Sequence, residues 1–151
     1  MPLIEVFTPK GSLSEEQRKV IAEDLFAEVL AAEGAPDNEA ARSISWVLIH
    51  DVETWSVGGQ EVGAGEPPRF IVKVSVPKGA LNDERRADMM ARVNALLAKS
   101  DPDPSRFQSP LAAWVHINEV PDGNWGAAGN VVRVADVAAL MGLRAPVGAA
   151  Q

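Results

Sequence analysis

The residue with the most distinctive chemistry in this chain is Pro2, directly behind the initiator methionine. Removal of Met1 leaves Pro2 with a free secondary amine, a base that no side chain supplies. With Met1 in place the same nitrogen is an amide and has no basicity. Composition excludes several other chemistries. The 151 residues include no cysteine, which removes disulfides, thiol nucleophiles and thiolate metal sites. The two histidines, His50 and His116, are far apart in the chain and lack zinc-ligand spacing. No metal is therefore expected; Gly58, Gly59 and Gly129 form no phosphate-cradling motif, and no cofactor is expected either. A net charge of −7 lacks the basic footprint of a nucleic-acid binder.

The elements that must position Pro2 follow from periodicity. Residues 2–8 alternate as a strand, with Leu3, Glu5 and Phe7 on one face and Ile4 and Val6 on the other. Pro9-Lys10-Gly11 punctuates it. Ser14-Glu15-Glu16-Gln17 reads as a capping box. The helix it opens runs to about Glu33, with Val20, Ile21, Leu25, Phe26, Val29 and Leu30 as its buried stripe. Gly34-Ala35-Pro36 ends it, and residues 43–52 form a second strand. Trp46, Leu48 and His50 share one of its faces. Residues 55–68 are a glycine- and proline-rich loop with room for a small hairpin.

The pattern then starts again. Pro77-Lys78-Gly79-Ala80-Leu81-Asn82 echoes Pro9-Lys10-Gly11-Ser12-Leu13-Ser14 at a constant offset of 68, and Trp114 answers Trp46 at the same offset. Residues 70–76 form a strand, 83–99 a helix burying Met89, Met90, Val93, Leu96 and Leu97, and 111–120 a last strand. Asn124-Trp125-Gly126 answers Thr54-Trp55-Ser56 after two inserted residues. The chain reads as a tandem duplication of one βαβ unit, each parallel with a right-handed crossover.

The expected fold class is α+β, a four-stranded mixed sheet with two helices on one face. It forms one domain over 1–151, with repeats at about 2–68 and 69–142 and a loose tail at 143–151. The sheet's other face carries tryptophan and leucine and needs a cover, which copies of the same chain supply. No apolar run reaches the ~20 residues that span a bilayer, and Glu5 and Lys10 interrupt the only apolar start. A cytoplasmic protein with no membrane partner is expected.

A duplicated βαβ unit opening with Met-Pro, with Trp55-Ser56-Val57-Gly58-Gly59 after its second strand, resembles the tautomerase superfamily. That superfamily includes 4-oxalocrotonate tautomerase, macrophage migration inhibitory factor, malonate semialdehyde decarboxylase and the chloroacrylic acid dehalogenases. The resemblance covers roughly residues 2–130 and points to the fused members, which form homotrimers. It implies that Pro2 is the general base, or the acid when protonated, acting on a small keto or enol carboxylic acid. A free α-amine titrates at about 7.7–8.0; apolar walls pull that value down towards neutrality, where base catalysis is most efficient. Phe7, Trp46, Trp114 and Val57 are candidate walls. Phe70 stands at the position of Pro2 in the second repeat, so that repeat has no base.

The resemblance also exposes a gap. Relatives bind the substrate carboxylate with arginines on the strand-to-helix turns or on the second strand, where this chain has Ser12, Leu13, Ala80, Leu81, Trp46 and Trp114. Lys78 is the first candidate for that role. Trp114 and His116 fall on last-strand positions that reach a neighbouring subunit's proline in relatives resembling migration inhibitory factor. There His116 can donate to a carbonyl oxygen or shuttle a proton. Glu39 lies near the place of the water-activating carboxylate of decarboxylase- and dehalogenase-like members. A tautomerase is the leading expectation, with a decarboxylase or dehalogenase as the alternative and a non-catalytic binding protein as the third reading.

Overall fold

The computed structural model describes residues 1–63 and 65–142. The tail at 143–151 lies outside the described residues. Strands β1 (Leu3–Pro9), β2 (Trp46–Val52), β5 (Phe70–Pro77) and β6 (Ala113–Val120) form one sheet in the order β2-β1-β5-β6. β1 and β2 are parallel, as are β5 and β6, and the central β1–β5 pair is antiparallel. Helices α1 (Glu15–Glu33) and α3 (Asp83–Lys99) cover one face. The expected class, α+β with a four-stranded mixed sheet, is the observed one.

The strands alternate because their two faces meet different surroundings. Ile4, Val6, Val72, Val74 and Val76 are fully buried beneath the helices. Against them lie Ile21, Leu25 and Val29 of α1 and Met89, Val93 and Leu97 of α3. Val20 and Met90 are instead exposed. Each stands one residue, about 100° of rotation, away from the stripe that faces the sheet.

The duplication extends to single interactions. Arg18 donates to Asp51 at 2.6 Å, and Arg86, 68 positions later, donates to Glu119 at 2.8 Å. Each pair ties the first turns of a helix to the end of the following strand. The Lys10 and Lys78 amides likewise donate to the Val52 and Val120 carbonyls. Each half also ends in a small hairpin, β3–β4 (Ser56–Val57 and Gln60–Glu61) and β7–β8 (Trp125–Ala127 and Asn130–Val132). The first turn uses Gly58 and Gly59 at positive φ; the second puts Ala128 and Gly129 there, the geometry two-residue hairpin turns need.

Two boundaries differ from the sequence pattern. β2 begins at Trp46 rather than 43, because Glu39–Ser43 is a short helix, α2, capped by Asn38. The Asn38 side chain accepts from the Ala41 amide at 2.9 Å, which starts a helix where a strand was expected. β6 begins at Ala113, after a 3-10 turn at Pro104–Gln108.

The face away from the helices carries Trp46, Leu48, Leu3, Phe7, Ile71 and Trp114 around a polar centre. Trp46 is 66% exposed and Trp114 57%. In the centre Glu5 lies opposite Lys73, and His50 stands 3.1 Å from the Glu5 carboxylate while stacking on Phe7. Replacing the core residue Leu25 by alanine is expected to cost about 2–5 kcal/mol, read as a lower urea midpoint with an unchanged slope.

Candidate active site

β1 lies inside the sheet, so its first residues are held from both sides. The Pro2 carbonyl accepts from the Trp46 amide at 3.1 Å, and Leu3 is paired with Ser75 of β5. Pro2 is buried. Because β5 runs antiparallel to β1, the amino terminus lies beside the end of β5 and the turn at 77–80. α1 ends nearby: Gly34 takes a left-handed conformation (φ 68°) and stops the helix directly after Glu33. A fourth helix, α4 (Val134–Leu140), crosses the same place, with Asp122 accepting from the Val134 amide at 3.0 Å.

These elements enclose a cavity of about 290 Å³. Met1, Glu33, Gly34 and Ala35 line one side, Pro77, Gly79, Ala80 and Arg85 another, and Val134, Val137, Ala138 and Met141 form its apolar roof. The Glu33 Oε2 atom is buried and has no hydrogen-bond partner among the described residues. Burial raises the Glu33 carboxyl above its ordinary range, and the positive charge of the amino terminus pulls the other way. Burial in turn lowers the amine, opposed by the charge of Glu33. Arg85 Nη1 donates to the Glu33 backbone carbonyl at 3.0 Å, and its guanidinium packs over Gly34. Among the described residues Arg85 has no carboxylate partner.

The residues expected to act with Pro2 occupy different places within one protomer. Trp46 lies beside Pro2 through the backbone hydrogen bond. Phe7 is five residues along β1, about 17 Å away. Phe7, Val57 and Trp114 line a larger cavity of about 560 Å³ around Arg69, Phe70 and Lys73. In that cavity Phe70 stands at the second repeat's position for Pro2. His116 is on the open sheet face opposite Lys73. Lys78 is exposed in its turn and does not line the amino-terminal cavity, nor does Glu39, exposed at the start of α2.

Sequence reasoning missed Glu33 and Arg85, and it read Val134 to Met141 as a short helix, which α4 is, without placing it over the amino terminus. Each had a signal. Val134, Val137, Ala138 and Met141 follow the i, i+3, i+4, i+7 spacing of an apolar helix stripe. Arg85 stands where the first repeat has Gln17, whose side chain closes the capping box on Ser14. In the second repeat Asn82 still caps the Arg85 amide at 2.8 Å, but the side chain reaches away to α1.

Searches with the whole chain find no matching family model and no matching curated protein. Solved structures do match. Pt0534 inactivated by 2-oxo-3-pentynoate aligns with a TM-score of 0.67 and 20% identity, over 85% of this chain and 94% of its own. N1, a member of the cis-3-chloroacrylic acid dehalogenase family, aligns with a TM-score of 0.66 and 19% identity, over 86% and 82%. A macrophage migration inhibitory factor-like protein from Entamoeba histolytica aligns with a TM-score of 0.63 and 15% identity, over 87% and 98%. The fold is that of the tautomerases. Sequence identity this low speaks for the fold and leaves the chemistry to the site.

The buried carboxyl makes a pH-dependent contribution to stability. Glu33 titrates higher in the folded chain than its unfolded value of 4.5, so its contribution is complete below that pH and is lost as pH rises through the folded value. Glu33→Gln does not titrate. Its urea midpoint is expected to improve relative to the unmodified protein between pH 4 and pH 7; a constant difference would contradict the burial.

Proposed function

We propose that this protein is a cofactor-independent keto–enol tautomerase of small 2-keto or enol carboxylic acids, with Pro2 as its general base once Met1 is removed. The observation that carries this reading is the buried amino terminus beside a cavity of the tautomerase fold. Met1 lines that cavity and Pro2 behind it is buried, so removal of Met1 would open the proline nitrogen to the same space. The apolar roof disfavours an ammonium there, as burial already does for the Met1 amine. A secondary amine lowered towards neutrality takes a carbon-bound proton and returns it.

An assembly completes this reading. Copies of the chain cover the open sheet face in a homotrimer, and a fused 4-OT of the same fold forms an asymmetric trimer. His116, Trp114, Phe7 and Val57 then belong to subunit contacts and to the walls of a neighbour's site, with Lys78 as a cation at the rim. Light scattering is expected to read three times the 16.1 kDa chain mass, and Trp46→Asp to dissociate the assembly by placing a charge in the covered face.

A decarboxylase or dehalogenase is the second reading, supported by the likeness to N1 and by a carboxyl group lining the cavity. Release of carbon dioxide or halide from three-carbon acids would favour it. The test of the first reading joins intact mass with phenylenolpyruvate ketonisation. A mass lacking Met1, with a rate that falls by at least about a hundredfold in Pro2→Ala, is the expected outcome. Full activity in Pro2→Ala would end the reading.

A further inference from the structure

A base at one carbon is half of a tautomerase; the carbonyl oxygen also needs a partner as negative charge develops on it. The arginines that resemblance leads one to seek are missing from the turns. The amino-terminal cavity instead contains two charged side chains in places that local rules disfavour. Glu33 is in the last turn of α1, where the helix dipole opposes a carboxylate. Arg85 is in the first turn of α3, where the dipole opposes a cation. The Arg85 guanidinium bonds the backbone carbonyl of Glu33. Two such departures at one point, beside a buried amine, mark a site rather than a scaffold.

We propose that the Glu33 carboxyl is the oxygen-side proton donor of this site and that Arg85 anchors the carboxylate of a 2-keto acid. The inference rests on Pro2 being the base. A 2-keto acid carries its carboxylate and carbonyl on adjacent carbons, and Arg85 and Glu33 line the same cavity. The buried Oε2 atom, with no partner among the described residues, is free to bond substrate. Burial beneath the apolar roof raises this carboxyl above its ordinary range, the α1 dipole acts in the same direction, and the positive charge of the amino terminus opposes both. A neutral carboxylic acid can donate where a carboxylate cannot.

The step balances within the site. In enolisation the Pro2 nitrogen takes the proton from the carbon next to the carbonyl, and that C–H pair becomes the new C=C bond. The carbonyl π pair moves to oxygen, which takes the proton from Glu33. The products are the enol, a protonated Pro2 and a Glu33 carboxylate. Ketonisation is the reverse, starting from that charged pair. Between turnovers the proton passes from Pro2 back to Glu33, so no other reactant is consumed.

The test compares Pro2→Ala, Glu33→Gln, Glu33→Asp, Arg85→Ala and Arg85→Lys in the full chain lacking Met1, with phenylenolpyruvate as substrate. Glu33→Gln is expected to lower kcat at least about a hundredfold with little change in KM, and Glu33→Asp to recover part of it. Arg85→Ala is expected to raise KM at least tenfold, and Arg85→Lys to restore much of the difference. Intact mass after 2-oxo-3-pentynoate treatment gives a second readout: Glu33→Gln should still be alkylated at Pro2, showing an intact amine and fold. If Glu33→Gln keeps kcat within threefold while Pro2→Ala is dead, this proposal is overturned and the base assignment survives. Loss of both turnover and alkylation in Glu33→Gln would also overturn it, since Glu33 would then only support the fold. An active Pro2→Ala would remove the underlying reading instead.

Discussion

The structure depends on its first strand being an interior strand. Chain termini are normally loose because nothing pairs with them. Here β1 is bonded to β2 on one side and to β5 on the other, so the first residues are held as firmly as the core. Proline at the second position has no amide hydrogen and takes nothing from the ladder. The constraint therefore delivers a fixed backbone nitrogen at the end of the sheet, beside the end of β5 and the end of α1. Every other component of the cavity comes to that point.

Duplication supplies the frame, and its exceptions stand out against it. The halves share their strands, helices, hairpins and even the Arg18–Asp51 and Arg86–Glu119 pairs. They part at Pro2 against Phe70, at Leu48 against His116 and at Gln17 against Arg85. Arg85 gives up the capping box that Gln17 makes, although Asn82 keeps the cap itself. The released guanidinium bridges the two halves by bonding α1 from α3.

The electrostatics of the cavity follow from what covers it. An amine and a carboxyl in water would both be charged at neutral pH. Beneath Val134, Val137 and Ala138 the charged form of each is penalised, so the amine moves down and the carboxyl up. Their mutual attraction opposes both shifts. The two groups are thereby brought closer in proton affinity than they would be in water.

The sequence by itself determined the repeat, the mixed sheet, both long helices and the singular position of Pro2. These rest on local patterns, period 2 for strands and 3.6 for helices, together with an offset visible without coordinates. It did not place Glu39 in a helix, because Asn38 acts through a cap whose effect depends on how the chain enters β2. It left Val20 and Met90 in the core, since a stripe read from sequence has no sharp edge. Only the tertiary structure decided that Glu33, Arg85 and α4 surround the amino terminus. Glu33 and Arg85 are distant helix-end residues until the antiparallel β1–β5 pairing brings the end of one helix against the start of the other. That pairing is a contact between distant segments, and no window along the chain contains it.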